Sequence, residues 1–157
     1  MRRLRVLLPL IAALALLAAS VVPTAAAGSA TGVLRLILTG NQEATATCAP
    51  PAVCGDPDAV AQMILIVNPN RDTVCFLTKW FNIDGTVVAA HIHLAPVGVP
   101  GAVKVPLFSG SFASTDMLRG CVPANGFAGA ILANPSAYYV NIHSTVYPAG
   151  AVRTQLG

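Results

Sequence analysis

The sequence predicts an all-β protein, an antiparallel immunoglobulin-like β-sandwich with one short helix before the penultimate strand. Three observations predict it. Short runs rich in alternating or β-branched apolar residues recur from residue 32 to residue 156. Clusters of Gly, Pro, Asn and Asp separate them at regular intervals. One segment alone, 127–133, reads as one or two helical turns, stopped at the pre-proline Asn134. Several short strands with regular turns and little helix are the pattern of a β-sandwich.

Residues 32–38 form the first predicted strand, closed by Thr39-Gly40-Asn41. Residues 43–58 carry Pro50, Pro51, Gly55 and Pro57 and read as a loop, with Asp56 and Asp58 as turn formers rather than calcium ligands. Segments 59–67 and 73–81 flank Asn68-Pro69-Asn70-Arg71-Asp72, which makes them a hairpin. In the second of these, Val74, Phe76, Thr78 and Trp80 share one face. After the Asp84-Gly85 turn comes the strand Val87–Leu94, then a Pro/Gly loop. Segment 102–108 is a further strand, which Pro106 confines to a sheet edge because proline cannot donate to a ladder. Residues 109–123 read as polar and irregular, 138–146 as a strand and 151–156 as the last strand.

A basic start (Arg2, Arg3, Arg5), an apolar run to Val22 and the small residues Ala25-Ala26-Ala27 describe a secretory signal peptide over residues 1–27. The mature chain is then one domain, 28–157, with no membrane span after cleavage and a secreted, extracellular or periplasmic location. The full chain has a formal charge of +3. Removing Arg2, Arg3 and Arg5 leaves six basic side chains against six acidic ones, so the mature domain is neutral. No basic stripe is available for nucleic acid.

Four cysteines in an exported chain suit an oxidising compartment and allow three pairings. The favoured one joins Cys48 to Cys54, closing the proline-rich loop, and Cys75 to Cys121, tying a strand to a distant loop. A zinc finger fits poorly, because the C-x5-C spacing and the separated Cys75 and Cys121 match no finger pattern.

The three histidines are the chemistry-bearing residues. Alternate side chains of a strand point to opposite faces, so His91 and His93 project together while Val88, Ala90, Ile92 and Leu94 project the other way. The segment Tyr138-Tyr139-Val140-Asn141-Ile142-His143 obeys the same parity, with Val140 and Ile142 opposite Tyr139, Asn141 and His143. If the two strands are neighbours, three imidazoles converge. One reading is a zinc or copper site of His91, His93 and His143 with an open fourth position, oriented from behind by Asn141 or a loop carboxylate such as Asp116. The other is a structural polar network in which Tyr139, Asn141, Arg153 and Gln155 satisfy the histidines. A two-metal centre of the copper–zinc superoxide dismutase kind needs more histidines than this chain owns. No G-x-S-x-G elbow and no acidic pair stands out, so neither nucleophilic nor glycosidase-like catalysis is indicated.

Ala89-Ala90-His91-Ile92-His93, Tyr138-Tyr139-Val140-Asn141-Ile142-His143-Ser144 and the closing Tyr147-Pro148-Ala149-Gly150-Ala151-Val152-Arg153-Thr154-Gln155-Leu156 together resemble the CHRD domain family. That family is named for chordin, an extracellular antagonist of bone morphogenetic proteins, and is widespread in secreted bacterial proteins. The resemblance begins near Leu36-Ile37-Leu38-Thr39-Gly40-Asn41-Gln42-Glu43 and runs to the C-terminus. The chain departs from the family pattern at Ala151, Thr154 and Leu94, where an acid and two glycines are common. The resemblance implies an extracellular all-β module without enzyme activity. Function is thus expected to be that of a binding or structural module facing an extracellular protein or envelope component, with metal binding as the alternative.

Overall fold

The computed structural model describes residues 30–48, 50 and 52–157. The signal peptide predicted over 1–27 lies outside the described residues. The described chain is antiparallel β throughout, with one short α-helix. Its strands are β1 (Gly32–Thr39), β2 (Val60–Asn68), β3 (Thr73–Phe81), β4 (Val87–Leu94), β5 (Ala102–Ser109), β6 (Met117–Pro123), β7 (Tyr138–Ser144) and β8 (Val152–Gln155). The helix α1 (Ala128–Ala133) precedes β7, as the sequence predicts.

All eight strands belong to one sheet, ordered β5-β4-β7-β8-β1-β2-β3-β6. Its two halves meet at a narrow seam, where Thr39 of β1 pairs with Arg153 of β8. The sheet curls about that seam until its outer strands face each other. Phe76 of β3 packs on Phe108 of β5 with ring centroids 5.6 Å apart, and Trp80 stacks on the same ring. The result has the two facing layers of a sandwich, built from a single continuous sheet that nearly closes. β5 is an edge, where Pro106 leaves no ladder donor missing.

The apolar alternation specifies which face is inside. Ala61, Met63, Leu65 and Val67 of β2 are buried, as are Val74, Phe76, Thr78 and Trp80 of β3. The Thr78 hydroxyl donates to the Gln62 carbonyl at 3.1 Å, so its burial leaves no unpaired donor. Ala128 and Ile131 of α1 complete the core. No side chain of its own caps this helix; instead the Asp72 carboxylate accepts from the backbone N–H of Gly126 at 2.6 Å and of Ala128 at 3.3 Å. Among the described residues no helix is long and apolar enough to cross a membrane.

Three details differ from the expectation. Residues 117–123 are a strand rather than irregular chain, paired along their length with β3. Gly120 and Pro123 weaken the local signal, and the pairing with β3 overrides it. Cys121 therefore sits directly opposite Cys75 on an adjacent strand, with Cα atoms 3.9 Å apart, so this disulfide staples two neighbours rather than a strand to a loop. Within β4, the register against β7 shifts between Val87 and Ala89, which brings Val87 into the core and leaves Val88 half-buried; Leu94, at the strand end, is exposed. The second disulfide, Cys48–Cys54, closes the loop before β2.

Two stability measurements follow from this packing. Ile142, fully buried, should cost about 2–5 kcal/mol when truncated to Ala, read as a lower denaturant midpoint. Cys75→Ser opens a 46-residue separation and should cost about 4 kcal/mol on the chain-entropy account. A loss below about 0.5 kcal/mol for Ile142→Ala would mean that the inward and outward faces of β7 are exchanged.

Candidate functional site

β4 and β7 are antiparallel neighbours, with His91 opposite Asn141, Ile92 opposite Val140 and His93 opposite Tyr139. On β8, Arg153 continues the Asn141 row and Gln155 the Tyr139 row. Ile92, Val140 and Ile142 are fully buried in the core. The histidines project from the other face, together with Asn141. That outer face is itself covered: His93, Asn141 and Arg153 are all but inaccessible. On the far side of β4, the register with β5 shifts between Ala90 and His91 and again between Ile92 and His93, irregularities that bracket the histidine strand.

One ring nitrogen from each of His91, His93 and His143 lies within 4.8 Å of the other two. Among the described residues this is the one such cluster of potential metal-ligating side chains. His91 Nδ1 lies 3.1 Å from His143 Nε2. Asn141 Oδ1 lies 3.0 Å from His93 Nε2 and 3.0 Å from His143 Nε2. The outward-turned nitrogens are held by backbone: His93 Nδ1 donates to the Gly101 carbonyl at 2.9 Å, and His143 Nδ1 to the Pro148 carbonyl at 3.0 Å.

These partners determine the tautomers. A carbonyl oxygen only accepts, so Nδ1 of His93 and of His143 carries the proton, and each neutral ring turns a lone pair at Nε2 inward. The environment keeps them neutral. Burial, followed by the neighbouring His143 and His93, lowers the pKa of His91 to about 4. Burial likewise lowers His93 and His143, outweighing the carbonyl hydrogen bonds that favour their cations. The two lone pairs then point at an amide oxygen, which cannot donate to them.

The predicted supporting residues divide. Asn141 touches both His93 and His143. Tyr139 stacks parallel on His93, with centroids 4.6 Å apart, and its hydroxyl accepts from Gly101 N–H at 3.1 Å. Arg153 does not reach a histidine. Its guanidinium lies 3.4 Å from the Tyr139 ring centroid and donates to the carbonyls of Val99 at 3.1 Å and Pro96 at 3.0 Å. Gln155 is further out, donating to the carbonyls of Ala95 and Ser136. Arg153 and Gln155 thus fasten the 95–101 loop over the site. Asp116, considered as a supporting carboxylate, instead pairs with Lys79 at 3.4 Å on the surface.

Sequence reasoning overlooked Glu43. Its carboxylate is buried, accepts from Ala44 N–H at 2.9 Å and faces the Asn141 amide nitrogen at 3.5 Å. Burial raises its pKa, against the Ala44 hydrogen bond and the Arg153 charge. Its position at the end of the Leu36–Glu43 stretch of the family resemblance was the available signal; an acid in a loop is otherwise indistinguishable from a solvated one.

Comparison with protein-family models matches the CHRD domain over residues 34–156. The chain belongs to the CHRD domain family. The match takes in every strand but the first two residues of β1, and both histidine strands of the CHRD domain described here lie inside it. No curated protein and no solved structure shows significant similarity to the chain.

The depressed imidazole pKa values make metal-free stability pH-dependent. Between the ordinary value of 6.5 and about 4, unfolded His91 binds a proton that the folded chain refuses. Stability should therefore be fully present above pH 6.5 and be lost as pH falls toward 4, with His93 and His143 acting in the same direction. Glu43 opposes this: its raised pKa makes acidification favourable to the fold, with its contribution complete below its ordinary value of 4.5. Asp56, whose pKa burial also raises, acts with Glu43; three histidines against two carboxyls leave a net decline, to be read as a falling guanidinium midpoint from pH 7 to pH 5.

Proposed function

We propose that this CHRD domain is a secreted, non-catalytic module that binds a transition-metal ion through His91, His93 and His143. One observation carries the reading: two imidazole lone pairs, those of His93 and His143, are turned inward by backbone carbonyls behind them and converge on a shared point with Nδ1 of His91 beside it. The His93 lone pair faces the amide oxygen, which repels it, and the His143 lone pair is shared between that oxygen and His91 Nδ1 at 3.1 Å; a cation between the three rings removes the repulsion. Ligating histidines usually donate their other N–H to a carbonyl or carboxylate in this way. Three imidazoles suit zinc or copper. Secretion is supported by the two disulfides, which persist in oxidising compartments. The non-catalytic character is supported by family membership.

The test is elemental analysis of protein purified without a histidine tag, with zinc and copper titrated into the stripped chain. One ion per chain is expected, and His91→Ala and His143→Ala should each abolish uptake. A wild-type chain that remains metal-free at equimolar zinc and copper would overturn the reading and leave the histidines as a structural network.

A second reading, attachment to an extracellular protein or envelope component, is favoured by the outer face of β1, β2, β3 and β6. There Val33, Ile37, Ile66, Leu77 and Met117 are exposed on registered neighbours. Ile37→Glu combined with Leu77→Glu should release the protein from cell-envelope fractions; unchanged retention would discard this reading.

A further inference from the structure

We infer that Asn141 is the fourth ligand of the ion, and that Glu43 is the positioning residue that aims its amide oxygen at the site. The inference rests on the metal-binding reading above and adds the coordination shell to it. Zinc–nitrogen bonds of about 2.0–2.1 Å place the ligand atoms of a tetrahedron about 3.3–3.4 Å apart. Three edges already approach that length: His91 Nδ1 to His143 Nε2 at 3.1 Å, and Asn141 Oδ1 to Nε2 of His93 and of His143, both at 3.0 Å. The amide oxygen therefore occupies a vertex rather than a place behind one.

Asn141 could in principle turn over and donate its amide hydrogens to the two imidazoles, which would satisfy them without an ion. Glu43 acts against this. Its Oε2 faces the amide nitrogen at 3.5 Å while its Oε1 accepts from Ala44 N–H at 2.9 Å, so both carboxyl oxygens are placed as acceptors. Turning the amide would set Oδ1 against that oxygen. The carboxylate is brought into place by Gly150, whose φ of 141° lies in the glycine region. A Cβ added at Gly150 would collide with Glu43 Oε2 and crowd the Asn141 amide nitrogen. Glu43, Asn141 and the ion site thus form a chain in which each group sets the orientation of the next. A shell of three imidazoles and one amide oxygen leaves no position for a bound water. That suits an ion held for binding or rigidity rather than one that activates water, which needs an open position.

The test uses the full mature chain loaded with Co(II), whose visible bands report coordination, with azide as a probe for an open position. The wild type should show intense tetrahedral bands that azide does not shift. Asn141→Ala should bind cobalt more weakly, by about 10–100-fold, and its bands should shift with azide. Asn141→Asp, which keeps an oxygen at the vertex, should retain the closed, azide-insensitive spectrum and covers the case in which Asn141→Ala does not fold. Glu43→Leu frees the amide to turn and should acquire the azide response, whereas Glu43→Gln, able to accept through its own amide oxygen, should restore insensitivity. Cobalt uptake with azide-shifted wild-type bands, or identical band positions and azide response in wild type and Asn141→Ala, would overturn the Asn141 assignment while leaving metal binding intact. An azide-insensitive Glu43→Leu would overturn the role of Glu43. Absence of cobalt and zinc uptake by the wild type would overturn the metal reading itself.

Discussion

The register of β4 against β7 is the constraint on which the rest of this domain depends. Because side chains alternate along a strand, a slip of one residue would send His143 into the core and Ile142 to the polar face. The fully buried Ile92, Val140 and Ile142 oppose that slip, and each contributes the stabilisation of a buried aliphatic side chain. The same alternation that specifies the hydrophobic core therefore specifies the histidine cluster. Core and site are two faces of one strand pair, and neither can be moved without the other.

A sheet face turned away from the core is ordinarily wet. Here it is enclosed, and Arg153 is the reason. Its guanidinium is buried, spans from the Tyr139 ring to the carbonyls of Val99 and Pro96, and holds the 95–101 loop down across β7 and β4. Arginine suits this task because its planar fork satisfies several acceptors while stacking on an aromatic ring. The covered face excludes water from His93 and leaves His91 and His143 half-buried; that burial favours the neutral rings, and a neutral imidazole is the form that can donate a lone pair. On the other side Gly40 and Gly55 let loops approach backbone to backbone, and Gly150 leaves room for the Glu43 carboxylate: Gly55 N–H donates to the Gly40 carbonyl, and Asp56 N–H to that of Ala151. Family membership and this geometry meet in the same residues, since the His-x-His strand and the closing Arg153–Gln155 strand are the segments by which the chain resembles CHRD domains.

Among its charged side chains the described domain buries Arg153 and, of opposite sign, Glu43. The buried Arg153 lies close enough to the buried Glu43 to favour its ionisation, although no direct ion pair joins them. Their mutual attraction offsets part of the desolvation that each incurs. The solvent-facing β3–β6 pair carries the disulfide Cys75–Cys121 and the surface ion pair of Lys79 with Asp116, features that staple an edge and contribute nothing to the histidine face.

Much of this was legible in the residues themselves. The turn between 59–67 and 73–81 identified the hairpin, alternation grouped Val74, Phe76, Thr78 and Trp80 on one face, Pro106 identified an edge, and parity placed His91 and His93 opposite Ile92. Those are local properties, determined by the two-residue period of a strand and by the missing N–H of proline. What the sequence could not determine were the relations between segments remote along the chain. That β6 is a strand depends on β3 lying beside it, and that Val87 is core depends on a bulge against β7. Above all, Glu43 and Asn141 are separated by 98 residues and meet only because Thr39 of β1 pairs with Arg153 of β8, itself opposite Asn141 of β7, which brings the turn at Gly40–Gln42 and the Glu43 that follows it against that strand. Which hydrogen-bonding group faces which lone pair is decided by that approach alone, since an amide or a carboxylate acquires its direction from its partners and not from its neighbours in sequence.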